Sequence, residues 1–157
     1  MVILGIDPGI ARMGWGVISY INRKTKPIEY GCFETSEKGP MAYRLTSLRQ
    51  ELIRIIEKHK PVRAGIETLF FGANTKTAMT VGQARGVIVE ALAEKGVIAD
   101  SYTPLQIKLA VTGYGKADKN QVGTMIKMLL GLEEVPKPDD TADALAVALT
   151  CAHTKKY

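Results

Sequence analysis

Cysteines, long apolar runs, repeats and charge blocks are scarce or absent in this 157-residue chain. The two cysteines, Cys32 and Cys151, are too few for a disulfide scaffold and too far apart for a CxxC metal knuckle. Both read as small buried hydrophobes in a reducing compartment. No apolar stretch reaches the ~18 residues that a membrane span needs. Met1 leads straight into a strand-like run instead of a signal peptide, so the expected location is cytoplasmic. Without low-complexity tracts or repeats there is no internal boundary to draw, and residues 1–157 read as one domain. What is present is an ordinary globular balance, 46% apolar and 24% charged. A chain of this length buries roughly two thirds of its unfolded surface without help from metal or disulfide.

Val2-Ile-Leu-Gly-Ile-Asp7 is a short apolar run ending in Asp-Pro-Gly, a buried strand entering a turn. Residues 14–20 and 28–34 continue in strand style, with Asn22-Arg23-Lys24 as a hairpin tip, which predicts an antiparallel meander. Leu45, Leu48, Leu52, Ile55 and Ile56 then fall on one face of an amphipathic helix closed by Pro61. A fourth strand over 62–67 and a loop at 69–72 precede a helix from about Thr75 to Lys95, and 97–102 is a fifth strand. Pro104 opens a short helix ending before Gly113. Val122, Met125, Ile126, Leu129 and Leu130 mark another helix, ended by Gly131, and Asp139 opens an alanine-rich helix through Cys151. The order β-β-β-α-β-α-β-α-α-α predicts an α/β domain with a five-stranded mixed sheet, meander plus parallel strands, covered by helices on both faces.

Several carboxylates stand where structure alone has little use for them. Asp7 and Glu67 each end an otherwise apolar strand, where a partly buried acid must find a cation or lose its charge. Asp before Pro-Gly is also ordinary turn chemistry. Two such acids at two strand ends are better explained by a shared site, because sites in open α/β sheets collect where strands end. The last helix begins with Asp139, Asp140 and Asp143 before Ala144-Leu-Ala-Val-Ala-Leu. An N-cap and dipole complement explain one or two of these acids, but not Asp143 set between Ala142 and Ala144. Asp140 with Asp143, at i and i+3, can point at one centre, and so can Asp139 with Asp143. Such an all-oxygen set selects Mg²⁺ or Mn²⁺, and the chemistry that most often uses it is phosphoryl transfer with two ions about 3.5–4 Å apart.

The charge balance points to a polyanion. The formal charge is +5 from 21 Lys+Arg against 16 Asp+Glu. With Asp7, Glu67, Asp140 and Asp143 assigned to metal, the 21 bases face 12 other acids, leaving +9. That is a nucleic-acid-like balance on a small domain. Lys108, Lys116 and Lys119 are the lysines with a plausible aim, as a group more than singly. Phe70 and Phe71, just after Glu67, form either an aromatic finger that stacks on a base or part of the core.

These residues resemble the RuvC family, bacterial Holliday-junction resolvases of the ribonuclease H-like fold. The match is carried by Leu4-Gly-Ile-Asp-Pro-Gly9 with Gly14-Trp-Gly16, by Ile66-Glu67 with Phe70 and Gly82-Gln-Ala-Arg-Gly86, and by Ala142-Asp-Ala-Leu-Ala146. The glycine-bearing stretch Gly113-Tyr-Gly-Lys-Ala-Asp-Lys-Asn-Gln-Val122 resembles the family's loop into its penultimate helix. The resemblance implies a catalytic tetrad of Asp7, Glu67, Asp140 and Asp143, with Asp139 left as an N-cap. It also implies active-site lysines at Lys108 and Lys119 and a base-inserting aromatic at Phe70. The implied activity is symmetric nicking of two opposed strands of four-way junction DNA by a homodimer. The four carboxylates, with no nucleophilic Ser, Cys or His among them, predict Mg²⁺-dependent hydrolysis with two ions per subunit, Mn²⁺ able to substitute, and 5′-phosphate and 3′-hydroxyl ends. The implied partner is the RuvA–RuvB branch-migration complex. The helix from Thr75 to Lys95, apolar around much of its circumference, is either the dimer interface or simply sandwiched between the sheet and a neighbouring element. Rival readings are an actin-like ATPase fragment, whose relatives need two such domains to enclose a nucleotide, a junction-binding module without catalysis, and the same fold acting on RNA or another branched DNA.

Overall fold

The structure, a computed structural model, describes residues 1–68 and 75–154. Its strands are β1 (Val2–Asp7), β2 (Arg12–Ile21), β3 (Lys24–Glu34), β4 (Arg63–Glu67) and β5 (Ile98–Tyr102). Its helices are α1 (Met41–His59), α2 (Thr75–Glu94), α3 (Pro104–Thr112), α4 (Lys119–Leu130) and α5 (Asp139–His153). They form one mixed sheet in the order β3-β2-β1-β4-β5. The β1–β2 and β2–β3 pairs are antiparallel, and β1–β4 and β4–β5 are parallel. The expected architecture is the one observed.

The β2–β3 hairpin turns on Asn22 and Arg23, both at positive φ (52° and 64°), as a two-residue connection with the sheet's own twist requires. β3 starts at Lys24, four residues before the apolar run that marked it in the sequence. As an edge strand it alternates exposed and half-buried residues, so it has no continuous apolar signature, and Pro27 sits in it beside a register shift.

Two cores flank the sheet. Leu48, Leu52, Ile55 and Ile56 of α1 and Ala84, Ile88, Ala91 and Leu92 of α2 pack on one face with Leu4, Ile6 and Ile66. On the other face α5 lies directly on β1 and β2, bordered by α3 and α4, with Leu145, Val147, Leu149 and Cys151 fully buried. Its close approach depends on glycine. A Cβ at Gly5 would run into the backbone of Ala144 and Ala148, and one at Gly14 would run into the Asp140 carbonyl. Gly14 is also the direct cross-strand partner of Asp7. The first turn of α5 is therefore seated on the sheet position adjacent to the end of β1.

Candidate active site

β1 and β4 run parallel, with Ile6 opposite Ile66, so Asp7 and Glu67 emerge side by side where the two strands end. Gly14 then brings Asp140 and Asp143 of α5 to the same edge. Crowding and burial leave their mark on the acids. Asp7 is pushed up to about 8, chiefly by burial and then by Glu67, Asp143 and Asp140. Burial followed by Asp143 raises Glu67 to about 7, against a hydrogen bond with Asp7 and the pull of Lys119 and Lys108. Asp143 is raised as well, again mainly by burial, with Lys119 opposing. Carboxyls that hold their protons near neutral pH mark an excess of negative charge that a divalent cation would relieve.

The cations come from two capped helices. At the start of α4 the Asp118 carboxylate accepts from the Gln121 backbone N–H, while the Gln121 side chain accepts from the Asp118 N–H. This capping box fixes Lys119 as the first helical residue. Its Nζ lies 3.7 Å from Asp143 Oδ2 and 3.4 Å from Asp139 Oδ2. Thr103 and Gln106 form the matching box on α3, which carries Lys108. Glu67, Lys108, Lys119 and Asp143 line a cleft of about 220 Å³ whose apolar wall is Pro104, Ile107, Val122 and Ala146. Lys116 is exposed on the loop between α3 and α4 and lines neither this cleft nor the adjoining one around Lys119 and Asp139. Phe70 and Phe71 lie outside the described residues.

Asp139 differs from its expected role. Pro138 precedes the helix at the cap position, with no side-chain cap bond, and Asp139 is the first helical residue, exposed toward Lys119. Pro138, with ψ 175°, is the last extended residue, so the helix begins one residue earlier than a capping aspartate at 139 would place it. Cys32 is only half-buried, not a core residue, and lies near the acids. Its thiol is pushed up to about 11 by burial, Asp140 and Glu34, which removes it as a nucleophile.

The sequence reading missed Arg12. It begins β2, five residues after Asp7, with Nη1 3.7 Å from Asp140 Oδ2 and Nε 3.4 Å from Glu34 Oε1. A charged residue opening the strand that folds back antiparallel to β1 was the available signal.

The four acids supply only oxygen donors, the set that hard divalent cations prefer. Among the described residues, however, no three His, Cys, Asp or Glu side chains already stand close enough together to hold an ion. Arg12 and Lys119 occupy the outer sides of Asp140 and Asp143.

Residues 3–151 match the family model for crossover junction endodeoxyribonuclease RuvC. The chain belongs to the RuvC family. A RuvC-family protein of that name from Desulfitobacterium hafniense is 51% identical, over 98% of this chain and 93% of the relative. Another from Alkaliphilus metalliredigens is 52% identical over 100% and 96%. The solved structure of Thermus thermophilus RuvC with a Holliday junction substrate superposes with a TM-score of 0.91 at 36% identity, covering 96% of this chain and 92% of that one. Thermus thermophilus RuvC solved separately gives 0.89 at 35%. The RuvC likeness places the sheet and its helices in the ribonuclease H-like fold.

Proposed function

We propose that this chain is a crossover junction endodeoxyribonuclease that resolves four-way DNA junctions by paired, metal-dependent nicks. The observation that carries the reading is the meeting of Asp7, Glu67, Asp140 and Asp143 at one sheet edge, with Lys108 and Lys119 facing them, in a chain that matches RuvC along its length.

Asp7, Glu67, Asp140 and Asp143 are the proposed ligands, and Mg²⁺ the proposed metal, two ions per subunit with Mn²⁺ able to replace it. When bound, the metal supplies an activated water and charge stabilisation at the leaving oxygen. The side chains themselves do the rest. Lys119 and Lys108 bring positive charge to the mouth of the cleft, where a phosphodiester would otherwise meet only carboxylates. Pro104, Ile107, Val122 and Ala146 supply an apolar wall beside these charges. Water is the proposed attacking group, and breaking the bond from phosphorus to the 3′ oxygen would leave 5′-phosphate and 3′-hydroxyl ends. Nicks made in a labelled synthetic junction are expected to be sealed directly by a DNA ligase. Products that need phosphate removal or addition before sealing would contradict this end chemistry.

Lys108→Ala and Lys119→Ala are each expected to flatten the log–log salt dependence of junction binding by about one unit. A slope equal to that of wild type would show that the lysine does not contact phosphate.

A two-fold dimer would match the two-fold relation between the two nicks. On α2, Ala84, Ile88, Ala91 and Leu92 face the core, while Met79 and Val89 are exposed. Gly82 and Gly86 lie between them on the outer side, with open space where a Cβ would be. This stripe at positions 79, 82, 86 and 89 supports α2 as the surface where a second copy packs closely. Solution mass is expected to give twice the 17.1 kDa chain mass at micromolar concentration. Met79→Glu should return it to the monomer value, and a wild-type monomer both free and on a junction would rule the dimer out. Phe70 is the proposed base-stacking residue, and the RuvA–RuvB complex the proposed branch-migration partner.

A further inference from the structure

We infer that Arg12, tethered by Glu34, competes with the metal for Asp140 and so sets how tightly the site takes up an ion. The inference rests on the reading of Asp7, Glu67, Asp140 and Asp143 as metal ligands.

Arg12 and Glu34 are direct partners across the antiparallel β2–β3 pair, one opening its strand and the other ending it. The Arg12 guanidinium lies between two carboxylates, with Nε 3.4 Å from Glu34 and Nη1 3.7 Å from Asp140. At 3.7 Å the contact with Asp140 is charge proximity and not a directional hydrogen bond, so an incoming cation can displace it. The backbone of Asp140 is fixed over Gly14, which limits the exchange to side-chain rotation. Arg12 also differs from Lys119, because it lines neither cleft at the site and approaches Asp140 from the β2 side.

A divalent ion held by Asp140 has the displaced but nearby Arg12 charge as its neighbour, and repulsion in this partly solvated setting lowers affinity. Glu34 partly neutralises that charge. The two members of one cross-strand pair therefore act on metal affinity in opposite directions. If the pair served only to hold the strand ends together, loss of either member would move affinity the same way.

The test is titration of the DNA-free protein with Mn²⁺, following free Mn²⁺ by electron paramagnetic resonance. Arg12→Gln is expected to tighten binding about three- to tenfold and Glu34→Gln to weaken it by a similar factor, with Arg12→Lys close to wild type. Unchanged or weaker binding in Arg12→Gln, or a shift of both glutamine variants in one direction, would overturn the inference. Asp140→Asn serves as the control and should weaken Mn²⁺ binding more than any other variant. An Asp140→Asn titration identical to wild type would instead overturn the ligand assignment, and this inference with it.

Discussion

Asp143→Asn is expected to abolish junction cleavage while junction affinity stays the same or tightens. Asp7→Asn should behave alike. The amide keeps the shape of each side chain but removes a charged oxygen donor, and a metal-assisted step losing one ligand should lose about 4 kcal/mol or more of barrier lowering, roughly a thousandfold in rate. Binding follows the lysines instead. Asp143 lies 3.7 Å from Lys119, so neutralising it frees that lysine for phosphate and removes a repelling charge from the cleft. Gel shifts without divalent metal, set beside cleavage in Mg²⁺, separate the two effects. Cleavage by either variant at near wild-type rate would remove that residue from the metal site.

The same carboxylates should make the metal-free protein less stable as pH rises. Asp7 keeps its proton up to about 8 in the folded chain, whereas an unfolded Asp releases it near its ordinary value. Between those limits the folded state binds more protons, so its stability falls with each pH unit, and above about 8 the full loss is present. Glu67, raised to about 7, adds to the loss in the lower part of the range. Asp7→Asn removes the largest part. In EDTA at pH 8 this variant should be more stable than wild type, with a Tm higher by about 5 °C or more. At pH 4 the difference should nearly vanish. Mg²⁺ should raise the Tm of wild type far more than that of the variant, because it binds the folded carboxylates. Thermal melts across pH, with and without metal, test all three expectations. A wild type that melts above Asp7→Asn at pH 8 in EDTA would contradict them.

This antagonism between stability and metal binding also explains what the sequence made visible. Asp7, Glu67 and Asp143 stood out because each interrupts an apolar segment, and only a local reading is needed to see that. Asp139 and Asp140 are adjacent and look alike to a local reading. The structure brings Asp140 to Asp7 through the Asp7–Gly14–Asp140 stacking, whereas Asp139 points toward Lys119 at the surface. That stacking depends on a strand pairing and a glycine contact far apart in sequence. Arg12 was invisible for the same reason, since its partners Glu34 and Asp140 become neighbours only through the β2–β3 register and the seat of α5. The core helices were readable from their periodicity. β3 was readable only at its apolar end, because an edge strand half in solvent carries no strong pattern. On α2 the apolar residues looked alike in sequence, and only burial separates Ile88 and Leu92, which face the core, from Met79 and Val89, which do not.

The proposed activity is that of a metal-dependent, junction-selective nuclease built on Asp7, Glu67, Asp140 and Asp143. Incubation of the protein with a synthetic four-way junction and a linear duplex of the same sequence, in Mg²⁺ and in EDTA, tests it most directly. Paired nicks are expected in the junction in Mg²⁺, with no cutting of either substrate in EDTA and little or none of the linear duplex. Cutting in EDTA, or equal cutting of junction and duplex, would contradict it.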